Sequence, residues 1–349
     1  MDEASTSASG GAAARGGRAF PGARSGFYYR FTQQNLASWK PAMTAGCVIT
    51  VFLIIGIIFV PFGVVCLRAS NHVAEIIRRY DVDCVPNVYR GNKQAYIKDS
   101  SIPKNCTLEV KVLNHMRAPI YVYYELENFY QNHRRYVKSR NDKQLRYGAK
   151  YMCDSQDPVQ WDNDGRPIVP CGLVAWSLFN DTYGFTRGSK EITVNRKNIS
   201  WKSDREHKFG KNVYPSHFQN GSLIGGGKLD PHVPLSEQED LIVWMRVAAL
   251  PKFRKIYGVI EEDLSVDETI TILIANNYNT YGYGGKKSLV LSTATWLGGK
   301  NDFLGYAYIV TGSWSIFMAI VFTLIRVKYP RSQGDPSCLT WNRKSTSSN

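Results

Sequence analysis

Two long apolar runs without a charged side chain stand near the two ends of the sequence. The first covers 41–67, between Lys40 and Arg68, and the second covers 303–325, between Asp302 and Arg326. A bilayer core about 30 Å thick takes roughly 20 helical residues at about 1.5 Å each, so each run predicts a transmembrane helix. Between them the pattern changes. Residues 108–112 alternate apolar and charged, and 120–124, 192–195, 241–245, 269–274 and 288–292 are β-branched or aromatic runs divided by Pro, Gly, Asn and Asp clusters. These predict strands. The Gly/Asn/Tyr-rich stretch 276–287 reads as a hairpin connection between the last two. Residues 71–80 read as a helical continuation of the first span, and 252–262, after Pro251, as a short helix.

The pattern therefore predicts a membrane protein with two transmembrane α-helices and a large, mainly antiparallel β domain, sandwich-like, on the lumenal or extracellular side. The expected divisions are a cytosolic and mostly disordered N-terminal tail (1–40), a first span (41–67), a lumenal glycosylated and disulfide-bonded domain (68–302), a second span (303–325) and a cytosolic C-terminal tail (326–349). The hydrophilic N-terminal tail predicts an uncleaved signal anchor.

Small residues recur on one face of each span. Gly56, Val60 and Gly63 share a face of the first, with Pro61 expected to bend it. Gly305, Gly312 and Ala319 fall seven apart in the second, with Tyr308 and Ser315 between them. Small residues let helix backbones approach closely in lipid. The seams serve either packing of the two spans on each other or docking against a third membrane protein.

Charge alone orients the spans weakly, because Lys and Arg flank both sides of each. The glycosylation sequons at Asn105, Asn180, Asn198 and Asn220 all fall in 68–302, which predicts that this stretch is lumenal. Cys84, Cys106, Cys153 and Cys171 lie in the same stretch. In an oxidising compartment four cysteines allow three pairings, and the sequence-local ones, Cys84–Cys106 and Cys153–Cys171, close most easily. The formal net charge is +14 over 349 residues. The tails are the most basic part per residue, which suits an anionic cytosolic leaflet and membrane lipids as neighbours. A glycosylated lumenal domain makes nucleic acid a poor partner.

The search for chemistry yields no catalytic residue, metal site or cofactor motif. Gly225-Gly226-Gly227-Lys228 lacks phosphate-loop spacing, since Ser222 stands where the first glycine belongs, and reads as a flexible loop. Glu237, Glu239 and Asp240 read as a solvated turn. The basic run 132–140 reads as a solvated strand end or helix face, with an acidic partner as the alternative. Both spans lack ionisable residues, which argues against a transport path through this chain.

Four strings carry a resemblance: 120–136 (IYVYYELENFYQNHRRY), 170–182 (PCGLVAWSLFNDT), 201–209 (WKSDREHKF) and 296–305 (WLGGKNDFLG). With Phe31, Thr32, Gln33 and Gln34 ahead of the first span, they resemble the cell division control protein 50 / ligand-effect modulator 3 family, most closely its plant ALA-interacting subunits. The resemblance spans about Phe31 to Trp341. It implies a non-catalytic β-subunit of a type IV P-type ATPase, a phospholipid flippase. Such a subunit forms a heterodimer with the ATPase α-subunit and supports its assembly, exit from the endoplasmic reticulum and phospholipid translocation to the cytosolic leaflet. It implies residence in the endoplasmic reticulum, Golgi, endosomal or plasma membrane, with both termini cytosolic. The four lumenal cysteines stand at positions resembling the family's disulfides, and Asn180 resembles a family glycosylation site. Phe31, Gln33 and Gln34 on the cytosolic side, and Trp296, Asn301, Asp302 and Gly305 at the second span, would meet the partner. The rival readings are a lumenal enzyme anchored in the membrane, for instance a hydrolase on lipid or glycan, and a membrane-anchored receptor or adhesion module.

Overall fold

The structure, a computed structural model, describes residues 31, 32, 34, 44–151, 153, 160–162, 164–221 and 224–330. Two compact units divide it, one holding Ile54–Phe317 and the other the outer helix ends 45–53 and 318–328. The elements run α1 (Ala45–Asn71), β1 (Glu75–Arg79), α2 (Lys93–Lys98), β2 (Asn105–Lys111), β3 (Ile120–Glu127), α3 (Arg134–Lys138), α4 (Asp142–Tyr147) and α5 (Leu173–Trp176). They continue through β4 (Thr182–Arg187), β5 (Lys190–Ile192), β6 (Val194–Asn195), α6 (Lys202–His207), α7 (Glu239–Met245), β7 (Phe253–Ile260), β8 (Thr269–Ala275), β9 (Lys286–Ser292) and α8 (Asp302–Lys328). The protein is a two-span membrane protein whose helices α1 and α8 flank an antiparallel β domain.

Among the described residues the strands form a five-stranded sheet, β1-β9-β3-β7-β6, and a four-stranded sheet, β2-β8-β4-β5, with every pairing antiparallel. β8 shows why the alternation was readable. Ile270, Ile272 and Ile274 are buried, while Leu273 between them is 49% exposed. The two sheets share one core. Val122, Tyr124, Leu126, Leu289 and Leu291 enter it from the first sheet, and Val110, Phe185, Ile270 and Ile272 from the second. Burying each such side chain contributes about 1.5–3 kcal/mol.

Several expectations give way to tertiary structure. Residues 71–80 do not continue the helix. α1 ends at Asn71, and Glu75–Arg79 pairs with Ser288–Ser292 as β1. The β-branched pair Ile76 and Ile77 fits that half-buried edge. Most of 252–262 forms a strand, β7 (Phe253–Ile260), because Phe253, Lys255 and Tyr257 alternate inward. The run 241–245 is helical. Leu241, Ile242, Trp244 and Met245 are all buried, so no alternation marks it, and Glu239 and Asp240 in the first turn favour the helix end. Finally, 276–287 is no hairpin connection, since β8 and β9 lie in different sheets.

That crossover is held by an ion pair. Register places Lys287 on the inward face of β9 with Leu289 and Leu291, and its Nζ lies 2.6 Å from Asp181 Oδ2, both side chains having no solvent exposure. Lys287 Nζ also donates to Asn276 Oδ1 and to the carbonyl of Tyr278. Asp181 Oδ1 accepts the N–H groups of Asn277 and Tyr278 at 2.6 Å each, and its Oδ2 accepts Tyr80 OH at 2.7 Å. Two disulfides close nearby loops, Cys84–Cys106 and Cys153–Cys171. The first ties the turn after β1 to β2 of the other sheet.

A second inward lysine, Lys255 of β7, caps α7. Its Nζ donates to the carbonyls of Val243 (2.9 Å), Trp244 (2.8 Å) and Arg246. Burial, with the nearby Arg246 charge, lowers its pKa to about 7. An unfolded lysine titrates near 10.4, so between these values the unfolded chain holds the extra proton and stability rises with pH. Melting curves of the protein in detergent should show that rise between roughly pH 7.5 and 9.5, by up to about 1.4 kcal/mol per unit, and Lys255→Met should flatten it. An unchanged slope in the variant would contradict this account of Lys255.

Candidate functional site

With no catalytic constellation expected, the functional question concerns surfaces. Among the described residues no three His, Cys, Asp or Glu side chains gather as a metal site. The helix pair comes first. Gly56 and Gly63 of α1 are buried against α8, and a Cβ on Gly63 would stand 2.9 Å from the Gly305 carbonyl and from Ile309 N. Reciprocally, a Cβ on Gly312 would stand 2.9 Å from Val60 Cγ2 and 3.0 Å from Val60 N. Tyr308 inserts edge-on between Phe59 (5.2 Å) and Phe62 (4.9 Å). The small-residue seams thus face each other, which is the intrachain alternative. In the isolated chain the first helix covers Gly305 and Gly312. Ala319, 2% exposed, offers no open face either.

The end of the pair nearest the β domain is latched. Ser70 Oγ donates to Asp302 Oδ1 and accepts the Asn301 N–H at 2.9 Å. Asn301 Oδ1 accepts the Leu304 N–H at the start of α8. Ser70 holds Asp302 below the usual carboxylate range, with Lys300 adding to the effect. Asn301 and Asp302 therefore serve the chain's own helix junction first.

What stays open is apolar and aromatic. Trp296 is 69% exposed on a tight turn where Thr295 and Gly298 exchange backbone hydrogen bonds. Phe303, Tyr306, Val310, Trp314 and Phe317 follow it along the outer side of α8, at spacings of three and four that make one stripe. On α1, Ile54, Ile57, Ile58 and Val65 are exposed. Phe31, 61% exposed, lies in a turn closed by Gln34 N–H to its carbonyl, while Gln33 lies outside the described residues.

In the β domain, the sequons sit differently. Asn105 on β2, Asn198 and Asn220 are exposed, whereas Asn180 is half-buried with its Oδ1 enclosed and without a hydrogen-bond partner. Asn105 adjoins the bonded Cys106. The basic run 132–140 places Arg134, Arg135 and Lys138 on a solvated face of α3, as read.

Two readings change. Gly225–Gly227 is no flexible loop, since a Cβ on Gly225 would strike the Trp176 ring and one on Gly226 the Leu178 carbonyl. Glu239 is no solvated carboxylate. It accepts the N–H groups of Asn198 (2.7 Å) and Ser200 (2.8 Å) and pins the segment before Trp201. The sequence reading did not anticipate a cavity of about 410 Å³ there, lined by Tyr123, Ile199, Trp201, Val247 and Ile256. Arg246 covers one face of Trp201 at 3.9 Å and pairs with Asp204 at 2.9 Å. Only the clustering of Trp201, Asp204 and Arg205 hinted at it, and nothing linked that string to Arg246.

The seam can be tested in the isolated chain. Gly312→Leu should lower its stability in detergent by about 1–3 kcal/mol, the usual cost of overpacking. The outward Val310→Leu should stay within about 0.5 kcal/mol. If the seam instead faced a partner, Gly312→Leu would leave the melting of the isolated chain unchanged.

Comparison with known proteins agrees with this architecture from the first helix to the second. The model of the LEM3 (ligand-effect modulator 3) family / CDC50 family matches residues 51–332. ALA-interacting subunit 3 of Arabidopsis thaliana is 56% identical over 321 residues, covering 90% of this chain and 90% of that protein. Cell cycle control protein 50A of Mus musculus is 36% identical over 334 residues, covering 86% of this chain and 89% of that protein. Cell cycle control protein 50B of Homo sapiens is 31% identical over 344 residues, covering 87% and 94%. This chain belongs to the CDC50/LEM3 family.

Proposed function

We propose that this protein is the non-catalytic β-subunit of a type IV P-type ATPase, a phospholipid flippase. It forms a heterodimer with the catalytic α-subunit and supports its assembly, its exit from the endoplasmic reticulum and phospholipid movement to the cytosolic leaflet. Both termini face the cytosol, and the β domain is lumenal and glycosylated. The observation that carries the reading is the relationship to ALA-interacting subunits along nearly the whole chain. The chemistry of the chain fits it. The spans hold no Asp, Glu, Lys, Arg or His in 45–67 or 303–325, so the chain offers no charged relay through the bilayer. The ATP, magnesium and phosphorylated aspartate of the pump cycle belong to the partner.

The helix pair supplies the docking element. With its small-residue seam closed internally, the chain presents the aromatic stripe from Phe303 to Phe317 to its surroundings. Trp314 falls near the middle of α8, far from the interfacial depth that tryptophan prefers. A protein neighbour at that depth would cover it. Phe31, Gln33, Gln34 and Trp296 act as contacts at the two membrane faces. Subunit binding that differs between pump conformations would shift their populations.

Affinity capture of the full chain from native membranes in mild detergent, followed by mass spectrometry, tests this. A type IV P-type ATPase should co-elute in near-equal amount. A folded, glycosylated chain that brings down no such ATPase would overturn the proposal.

A further inference from the structure

The loop closed by the Cys84–Cys106 bond carries a feature that helix docking does not use. Beside it lies a polar pocket of about 390 Å³, walled by Arg79 at the end of β1, by 90–94, and by Tyr281, Gly284 and Gly285 of the crossover between the sheets. Three cations converge there: Arg79, Arg90 and Lys93. The one carboxylate in the lining, Asp81, is 3% exposed and already accepts Arg79 Nε at 2.6 Å and Nη2 at 2.9 Å. Among the described residues, Arg90 and Lys93 have no carboxylate within ion-pair distance, and the Lys93 ammonium lies 5.9 Å from the Tyr281 ring centre. The lining thus carries two positive charges that the protein leaves uncompensated.

The frame of the pocket is fixed. Tyr281 OH donates to the Asp81 carbonyl at 2.7 Å, and Gln94 Nε2 reaches the Tyr281 carbonyl. Gly284 holds φ +69°, and a Cβ on Gly285 would strike the Tyr283 ring, so the tight turn of the crossover depends on both glycines. Gly91 faces open space on the other wall. The volume suits a small molecule, at the lower end of the range of about 300–1,000 Å³ for ligand sites.

We propose that this pocket binds a soluble ligand bearing a phosphate group, held by Arg90 and Lys93 with Arg79 as the third contact. A phosphate monoester carries a charge of about −1.5 to −2 at neutral pH, which balances the lining, whereas a monocarboxylate would leave one cation unmatched. Guanidinium forks suit phosphate oxygens geometrically. A lipid headgroup shares the chemistry but not the position. β1 starts beside the helix junction at Glu75, and four residues at about 3.3 Å each put Arg79 roughly 13 Å further along the strand. This inference does not depend on the ATPase.

The test uses the full-length protein in detergent, with inorganic phosphate and glycerol 3-phosphate titrated by calorimetry. Both should bind saturably, and Arg90→Gln with Lys93→Gln should weaken them at least tenfold while the melting temperature holds. If the double variant loses its cooperative melt, Arg90→Gln alone at its exposed position serves for the same comparison. Absence of saturable binding, or equal affinity in the variant, would overturn the proposal. Binding only to phosphatidic acid vesicles, lost in the variant, would overturn the soluble source and assign the pocket to lipid.

Discussion

The buried pair of Lys287 and Asp181 is the constraint on which the domain depends. Two charges without solvent exposure are costly to bury unless every remaining hydrogen-bonding site is filled. Here they are filled from four separate segments: Tyr80 after β1, Asp181 before β4, the crossover residues Asn276 to Tyr278, and Lys287 in β9. The pair therefore works only when both sheets are in register. Tyr80 extends the network further, because its hydroxyl also meets Tyr183 OH at 2.7 Å, and Tyr257 OH accepts the Tyr183 N–H. A polar pin inside an aromatic core specifies one alignment of two otherwise slippery apolar faces.

The membrane helices continue from the same strands. β1 follows α1 within four residues, and β9 leads into α8 through a short connection. Glu75 pairs with Ser292, so the two strands are neighbours at the end nearest the helices. Neighbouring strands lie about 4.8 Å apart, while packed helices lie about 8–10 Å apart. The glycines at 56, 63, 305 and 312 and the latch of Ser70 with Asp302 let the helices follow the strands at close range. The domain and the spans are thus one continuous folding problem. The helix pair closes on itself with its aromatic side outward.

Much of this was legible in the sequence where a residue's surroundings are set by its neighbours in the chain. The two spans announce themselves by length, and the isoleucines of β8 by alternation. The local disulfides follow from loop closure. Legibility failed where distant contacts decide. Leu241, Ile242, Trp244 and Met245 are all buried, so period could not separate helix from strand, and the buried Lys255 broke the apolar alternation that would have marked β7. The hairpin expected at 276–287 failed because Lys287 binds Asp181 more than a hundred positions away. For the candidate surface, spacing placed Gly305 and Gly312 on one face correctly but could not say which helix that face meets.

The direct test of the central claim is a double-mutant cycle on the pin, read as unfolding free energy of the full chain in detergent. Asp181→Asn keeps the Asn180 sequon intact, and Lys287→Met keeps the length of the side chain. Each alone leaves a buried polar partner unmatched and should cost about 3–5 kcal/mol. Together they should cost less than the sum of the two, by at least about 2 kcal/mol, since contacting groups in one network are not additive. Additive losses, or singles within about 0.5 kcal/mol of the parent, would mean that the sheets are aligned by something other than this pair.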